Sequence, residues 1–313
     1  MGKAHLNFYY WMKTVEFKNI TWIDFVDPSA DDVLYLQENF DIHPLAIEEF
    51  ITPTYRPKAT QYENCIFLTI HIPLFNAETR TTYPGELDIV LTKDHLITGQ
   101  TKEIYQLDDF FTKLESNEGQ RRLYMNKTPA HLLYSILEML LESCFPRIDH
   151  IHKKLENIEE QVFNGKEKEM VFEISVVKRD ILNFRRTLKP QRHIIESLSQ
   201  MKSPLIAPEL SAYFQDLTGT NIRLWNALES NKETIESMEE TNNSLLSNKL
   251  DFTMKVLTVF SAIMMPMTVY SNILAMSADI PFGKSPHAFA IHSSIMLFIS
   301  LCTIIVFKMR KWL

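Results

Sequence analysis

Residues 256–278 read VLTVFSAIMMPMTVYSNILAMSA, 23 residues without a formal charge, and residues 288–307 read AFAIHSSIMLFISLCTIIVF, another 20. Each run is long enough to cross the roughly 30 Å hydrocarbon core of a bilayer as a helix. The nine residues between them, 279–287, suffice only for a tight hairpin loop. Two core helices of a soluble protein are the alternative, but two such runs back to back at a C-terminus fit it poorly. The expectation is a two-span membrane protein: first span 256–278, extracytoplasmic loop 279–287, second span 288–307 and basic tail 308–313.

The flanks set the orientation. Lys255 precedes the first span and Lys308, Arg310 and Lys311 follow the second, whereas the loop carries only Asp279 and Lys284. The positive-inside rule puts both chain ends in the cytoplasm and the loop outside, in a multi-pass protein of the cell (inner) membrane. The N-terminal stretch MGKAHLNFYYWMK lacks the apolar core of a signal peptide, and Leu6 stands where a myristoylation signal needs Ser or Thr.

Outward from the spans the chain turns acidic. From residue 251 onward there are two acids and five bases, +3, against −7 for all 313 residues, so residues 1–250 carry −10. Such a domain suits cations and discourages nucleic-acid binding. Seven glycines without a GxGxxG or GxxxxGK[ST] argue against a nucleotide-binding enzyme. Cys65, Cys144 and Cys302 lie far apart, which excludes a zinc ribbon and a disulfide scaffold. No nucleophile–base or paired-carboxylate constellation has motif context, so the chain is read as a non-enzyme without a cofactor.

Residues 1–125 read as an α/β domain. Strand-like runs occupy 21–26, 65–72, 87–91 and 95–99. Ser29 ahead of Asp31 and Asp32, and His43-Pro44, open two helices. Residues 126–255 read as a stalk of long helices, at 130–163, 167–200 and from 208 onward. In the last, Leu210, Phe214, Leu217, Asn221, Leu224, Leu228, Asn231, Ile235, Met238, Asn242, Leu245, Lys249, Phe252 and Val256 alternate in steps of four and three. No proline interrupts this helix before Pro266, so running from 208 to 276 it is about 100 Å long. Such a seam packs against copies of the chain, against the two preceding helices, or both. Its three asparagines either fix register and oligomer number or are tolerated polar sites of a wide bundle.

The same alternation continues into the first span. Asp251, Met254, Thr258, Ser261, Met265, Thr268, Asn272 and Ala275 share one helix face, and Val259, Ile263, Tyr270 and Leu274 share the other. A polar face on a lipid-flanked helix marks a helix interface or an aqueous pore. Asp251 at the cytoplasmic mouth would form an acidic ring, and Met254, Leu257 and Met265 hydrophobic constrictions.

In order and spacing the segments WIDFVDPS (22–29), HPLAIEE (43–49), RPK (56–58), KRDILNFRR (178–186) with Pro190, YFQD (213–216), MKVLT (254–258), SAIMMPMT (261–268) and the closing KWL resemble those of CorA-type divalent-cation channels over nearly the whole chain. The resemblance implies a CorA-like funnel: an α/β cytoplasmic domain, long stalk helices and two C-terminal transmembrane helices, the first lining the pore of a homopentamer in the lipid bilayer. It implies passive transport of a divalent cation, Mg²⁺ first, with Co²⁺ or Ni²⁺ open. A zinc or other transition-metal transporter, or a non-conducting sensor or scaffold of the same fold, are the alternatives. One departure stands out: the family's Gly-Met-Asn is here Ala275-Met276-Ser277. A Ser277 ring, with Met276 beside it, would hold a hydrated ion less selectively than an amide ring, which makes Asn272 the strongest amide acceptor on the stripe. Asp216 matches an intersubunit Mg²⁺-sensing position of the family, with Glu86 or Asp88 as the acid opposite. Glu239 and Glu240 would concentrate cations or form a solvated face. His287 and His292 are weak transition-metal candidates, five apart on a helix, and His43 and His71 read as capping or packing residues.

Overall fold

Short runs of β-branched and aromatic residues lay six strands into one mixed sheet: β1 (Met12–Phe17), β2 (Ile20–Val26), β3 (Lys58–Gln61), β4 (Ile66–Asn76), β5 (Thr81–Leu91) and β6 (His95–Gln100), in the order β1-β2-β6-β5-β4-β3. The computed structural model describes residues 12–54, 56–276 and 286–310. Only β2 and β6 run parallel, from Thr21 opposite His95 to Val26 opposite Gln100; every other pair is antiparallel. The four strands legible in the sequence form the centre of the sheet. The edges, β1 and β3, are the polar segments MKTVEF and KATQ, whose pairing comes from their neighbours rather than from their own alternation.

Helices cover both faces. α1 (Ala30–Asn39) starts from a complete capping box, with Ser29 and Asp32 each bonding the other's backbone. α2 (Pro44–Ile51) is capped by the Nδ1 of His43, which accepts from Leu45 N at 3.2 Å. Both pack on the face carrying Ile23, Phe25, Phe67, Val90 and Ile97. Gly99 lets Phe50 approach: a Cβ there would meet the Phe50 ring at 2.6 Å. The opposite face carries α3 (Tyr105–Ser116), whose Phe111 packs on Trp22 with ring centroids 4.8 Å apart, followed by α4 (Glu118–Tyr124), α5 (Pro129–Glu142), α6 (Phe145–Phe163) and α7 (Glu167–Gln200).

The single helix expected over 130–163 is two. Pro146 has no N–H to return to Glu142, and the chain turns at Ser143 and Cys144 before α6 begins. The chain forms two compact units, Met1–Glu239 and Glu240–Leu313. Within the first, α5 and α7 lie directly on β4, β5 and β6, so the sheet and the long helices share one core.

Buried charge joins these elements. Asp180 of α7 is 2% exposed; it accepts from Thr82 N at 2.6 Å and Thr82 Oγ1 at 2.7 Å, and Arg147 of α6 donates to its other oxygen at 2.6 Å. The same guanidinium lies 3.5 Å from the ring centroid of Phe75. On β2, Asp24 accepts from Thr98 and Gln100, and burial pushes its carboxyl up to about 7.

The last two helices are α8 (Leu210–Ala275), 66 residues long, and α9 (Ala288–Met309). Both are long and apolar enough to cross a membrane.

Candidate functional site

The expected seam of α8 changes character along its length. Leu210, Phe214, Leu217, Asn221, Leu224, Leu228, Asn231 and Ile235 are buried. Tyr134 of α5 meets the Phe214 ring with centroids 6.4 Å apart, and α7 runs antiparallel beside the rest: Leu188 O accepts from Asn221 Nδ2 at 3.4 Å, Arg185 pairs with Glu229, and Lys178 with Glu239 at 2.6 Å. This stretch is an intrachain core rather than an interface reserved for copies. Lys249, Phe252 and Val256, at the other end of the same seam, are exposed.

Within the second unit, α9 covers one arc of α8. The Tyr270 hydroxyl lies 2.8 Å from His292 Nδ1, and Ser300 Oγ donates to Met267 Sδ at 3.2 Å. Val259, Ile263 and Leu274 share this arc, Val259 being 7% exposed. Every described residue of the expected pore face lies outside it and is exposed in the single chain: Asp251, Met254, Leu257, Thr258, Ser261, Met265, Thr268, Asn272, Ala275 and Met276. Met265, in the middle, is 71% exposed. The hydroxyls on this face satisfy themselves on their own helix. Thr258 Oγ1 donates to Met254 O at 2.7 Å and Thr268 Oγ1 to Met264 O at 2.9 Å. Their oxygens remain available as acceptors. Asn272 offers a full amide on this exposed face. Ser277 lies outside the described residues.

The sensing candidates separate by layer. Asp216 is exposed on α8, on the same turn as Tyr213, which packs on Tyr134 of α5 with ring centroids 5.1 Å apart. Glu86 and Asp88 lie on β5, on the face covered by α2. Glu86 is half-buried and accepts from Thr54 N at 2.8 Å, and burial raises its carboxyl. Asp88 is 4% exposed and accepts from Thr69 Oγ1 at 2.6 Å. Burial, with Glu86 and Glu49 nearby, pushes Asp88 up to about 8, so it is a buried carboxylic acid rather than an open ligand near neutral pH. One chain does not bring Asp216 to either acid. Glu239 is held by Lys178, and Glu240 is exposed. Among the described residues no group of three or more His, Cys, Asp or Glu is placed to hold a metal.

The histidines behave mostly as packing groups. His43 caps α2 and stacks on Tyr62 at 4.4 Å; His71 Nε2 lies 2.9 Å from Thr54 O. The pairing of His292 with Tyr270, and the anchoring of Asp180 by Thr82 and Arg147, had no counterpart in the sequence pattern; both join residues far apart in the chain.

Comparison with known proteins agrees with this architecture. The family model described as CorA-like Mg²⁺ transporter protein matches residues 17–311. The cobalt/magnesium transport protein CorA of Thermotoga maritima is 28% identical over 295 residues, covering 94% of this chain and 83% of its own. The zinc transport protein ZntB of Yersinia enterocolitica is 18% identical over 293 residues, covering 93% and 86%. The complete structure of the CorA magnesium transporter from Methanocaldococcus jannaschii superposes with a TM-score of 0.82 at 21% identity, over 96% of this chain and 94% of that one. An α/β sheet domain and two C-terminal apolar helices, the first of them 66 residues long, matched over residues 17–311 by the family model, mean that this chain belongs to the CorA-like Mg²⁺ transporter family of membrane metal-ion transporters.

Proposed function

We propose that the chain assembles as a homopentamer in the inner membrane, with both termini cytoplasmic, and passes divalent cations, Mg²⁺ first, through a pore lined by the exposed stripe of α8. The observation that carries this reading is the stripe itself. Thr258, Ser261, Thr268 and Asn272 lie outside the arc covered by α9, and a polar face inside a bilayer needs a second helix or water against it. A ring of copies supplies both.

The chemistry suits a hydrated ion. Mg²⁺ sheds water reluctantly, so a ring of acceptors that bonds the hydration shell captures it at little cost. Asn272 carbonyls supply the strongest such ring in the described part of the stripe, five residues before Ser277 in the chain. Asp251 gathers cations at the cytoplasmic mouth, with Glu239 and Glu240 above it on the same helix. Met254, Leu257 and Met265 form apolar constrictions that close by dewetting. The membrane potential supplies the drive: 100 mV is worth about 4.6 kcal/mol for a doubly charged ion.

Asp216 is proposed as a regulatory cation ligand between subunits. Its exposure, on a layer away from Glu86 and Asp88, leaves it free to meet an acid of a neighbouring copy. Glu86 is the better of the two β5 acids for that role, since Asp88 is buried.

Zinc transport is the second reading, favoured by the ZntB relative and by Ala-Met-Ser in place of Gly-Met-Asn. Flux of Mg²⁺, Co²⁺, Ni²⁺ and Zn²⁺ into liposomes holding the purified protein ranks the ions. Flux of none of them identifies a non-conducting scaffold.

A further inference from the structure

We infer that the hydrogen bond between Tyr270 and His292 is an intramembrane clasp that sets the rotation of α8, and so aims Asn272 and Thr268 away from α9. The inference rests on the reading of the stripe as pore-lining and deepens it, by making two residues outside the stripe positioning residues for the conduction path.

The geometry is simple. Successive residues of an α-helix are turned by about 100°, so Asn272 and Thr268, each two residues from Tyr270, lie about 160–200° around the helix from it. Whatever holds Tyr270 against α9 therefore points both polar groups to the opposite side. Ser261 and Met265 fall on the same opposite arc. His292 Nδ1 sits 2.8 Å from the Tyr270 hydroxyl, and its Nε2 is buried with no partner among the described residues. That ring is thus committed to α8 by one directional contact.

The rest of the α8–α9 contact has little power to choose a rotation. Val259, Ile263 and Leu274 face α9, but Phe260, Val269 and Ile273, which lie outside that contact, are equally apolar. In a bilayer the lipid tails are as apolar as leucine, so burying one aliphatic face rather than another gains little. A hydroxyl–imidazole bond has one partner and one direction. The contact of Ser300 Oγ with Met267 Sδ, 3.2 Å and on the same arc, is the weaker second hold.

The clasp is tested in the full-length protein in liposomes, with Cys302→Ser removing the exposed native thiol; Cys65 and Cys144 are buried. Thr268→Cys reports the stripe and Ile273→Cys a face off the stripe, each modified by a charged, water-soluble methanethiosulfonate. With the clasp intact, the Thr268→Cys thiol reacts faster. Tyr270→Phe or His292→Leu is expected to lower the ratio of the two rates about threefold or more, the factor that an interhelical hydrogen bond of average strength supports. His292→Gln, whose carbonyl still accepts from Tyr270, is expected to keep the ratio. An unchanged ratio in both Tyr270→Phe and His292→Leu overturns the clasp and leaves the pore reading standing. A fall with His292→Gln equal to that with His292→Leu also overturns it. If neither cysteine reacts in clasp-intact protein, the stripe does not face water, and the pore reading falls together with the clasp. Should Tyr270→Phe fail to assemble, His292→Gln against His292→Leu makes the same comparison.

Discussion

Asn221 of α8 donates its side-chain amide to the main-chain carbonyl of Leu188 on α7, 3.4 Å away, and both residues are buried. A polar residue in the middle of an apolar seam is therefore satisfied inside one chain. The upper seam of α8 is the closing layer of the sheet domain's own core, and the seam is exposed from Lys249 onward.

Leu224 lies one turn from Asn221 and is fully buried. Leu224→Ala is expected to destabilise the folded chain by about 2–5 kcal/mol, the usual cost of emptying a leucine site. The oligomer mass in detergent should not change. A variant that melts normally but dissociates would place the seam between chains instead.

Arg147 and Asp180 tie α6, α7 and β5 together. Arg147→Met leaves a buried carboxylate with only the Thr82 donors, a loss of about 3–5 kcal/mol for a broken buried pair. Adding Asp180→Asn should recover part of the lost melting temperature, since the amide oxygen still accepts from Thr82 while the uncompensated charge is gone. No recovery in the double variant would assign the loss to the Phe75 contact.

Asp88 gives a pH signature. Its carboxyl is raised in the folded chain to about 8 from an ordinary 3.8. The native state thus holds a proton that the unfolded chain releases at lower pH. The contribution of Asp88 to stability is full below about pH 4 and declines as pH rises towards 8, by at most about 1.4 kcal/mol per pH unit. Asp88→Asn keeps an acceptor for Thr69 and has nothing to titrate. Its melting-temperature advantage over wild type should grow from pH 4 to pH 8; a constant difference would contradict the buried acid.

For Asp216, Mg²⁺ at millimolar concentration should slow proteolysis of the first unit in the wild-type protein, and Asp216→Ala should lose much of that protection. Identical digestion of both proteins, with and without Mg²⁺, would remove Asp216 from any sensing role.

What was legible in the sequence follows from period and length. Two charge-free runs gave the spans, Ser29-Ala-Asp-Asp and His43-Pro gave the starts of α1 and α2, and steps of three and four put Asp251 to Ala275 on one face of α8. Period alone does not name a partner. The seam of Leu210 to Ile235 reads the same whether α7 or another copy fills it, and the tertiary fold is what sets Leu188 opposite Asn221. Likewise β5 places Glu86 and Asp88 two residues apart on one side, but their burial depends on α2, nearly forty residues earlier in the chain. Edge strands β1 and β3 were silent because their pairing is imposed by β2 and β4.

The most direct test of the account is Mg²⁺ flux into liposomes by wild-type protein, Asn272→Ala and Ser277→Ala, each confirmed as the intact oligomer. Wild-type protein is expected to carry Mg²⁺, and Asn272→Ala to show a much larger fall or change of ion preference than Ser277→Ala. Unaltered flux and selectivity in Asn272→Ala, or a greater loss in Ser277→Ala, would contradict it.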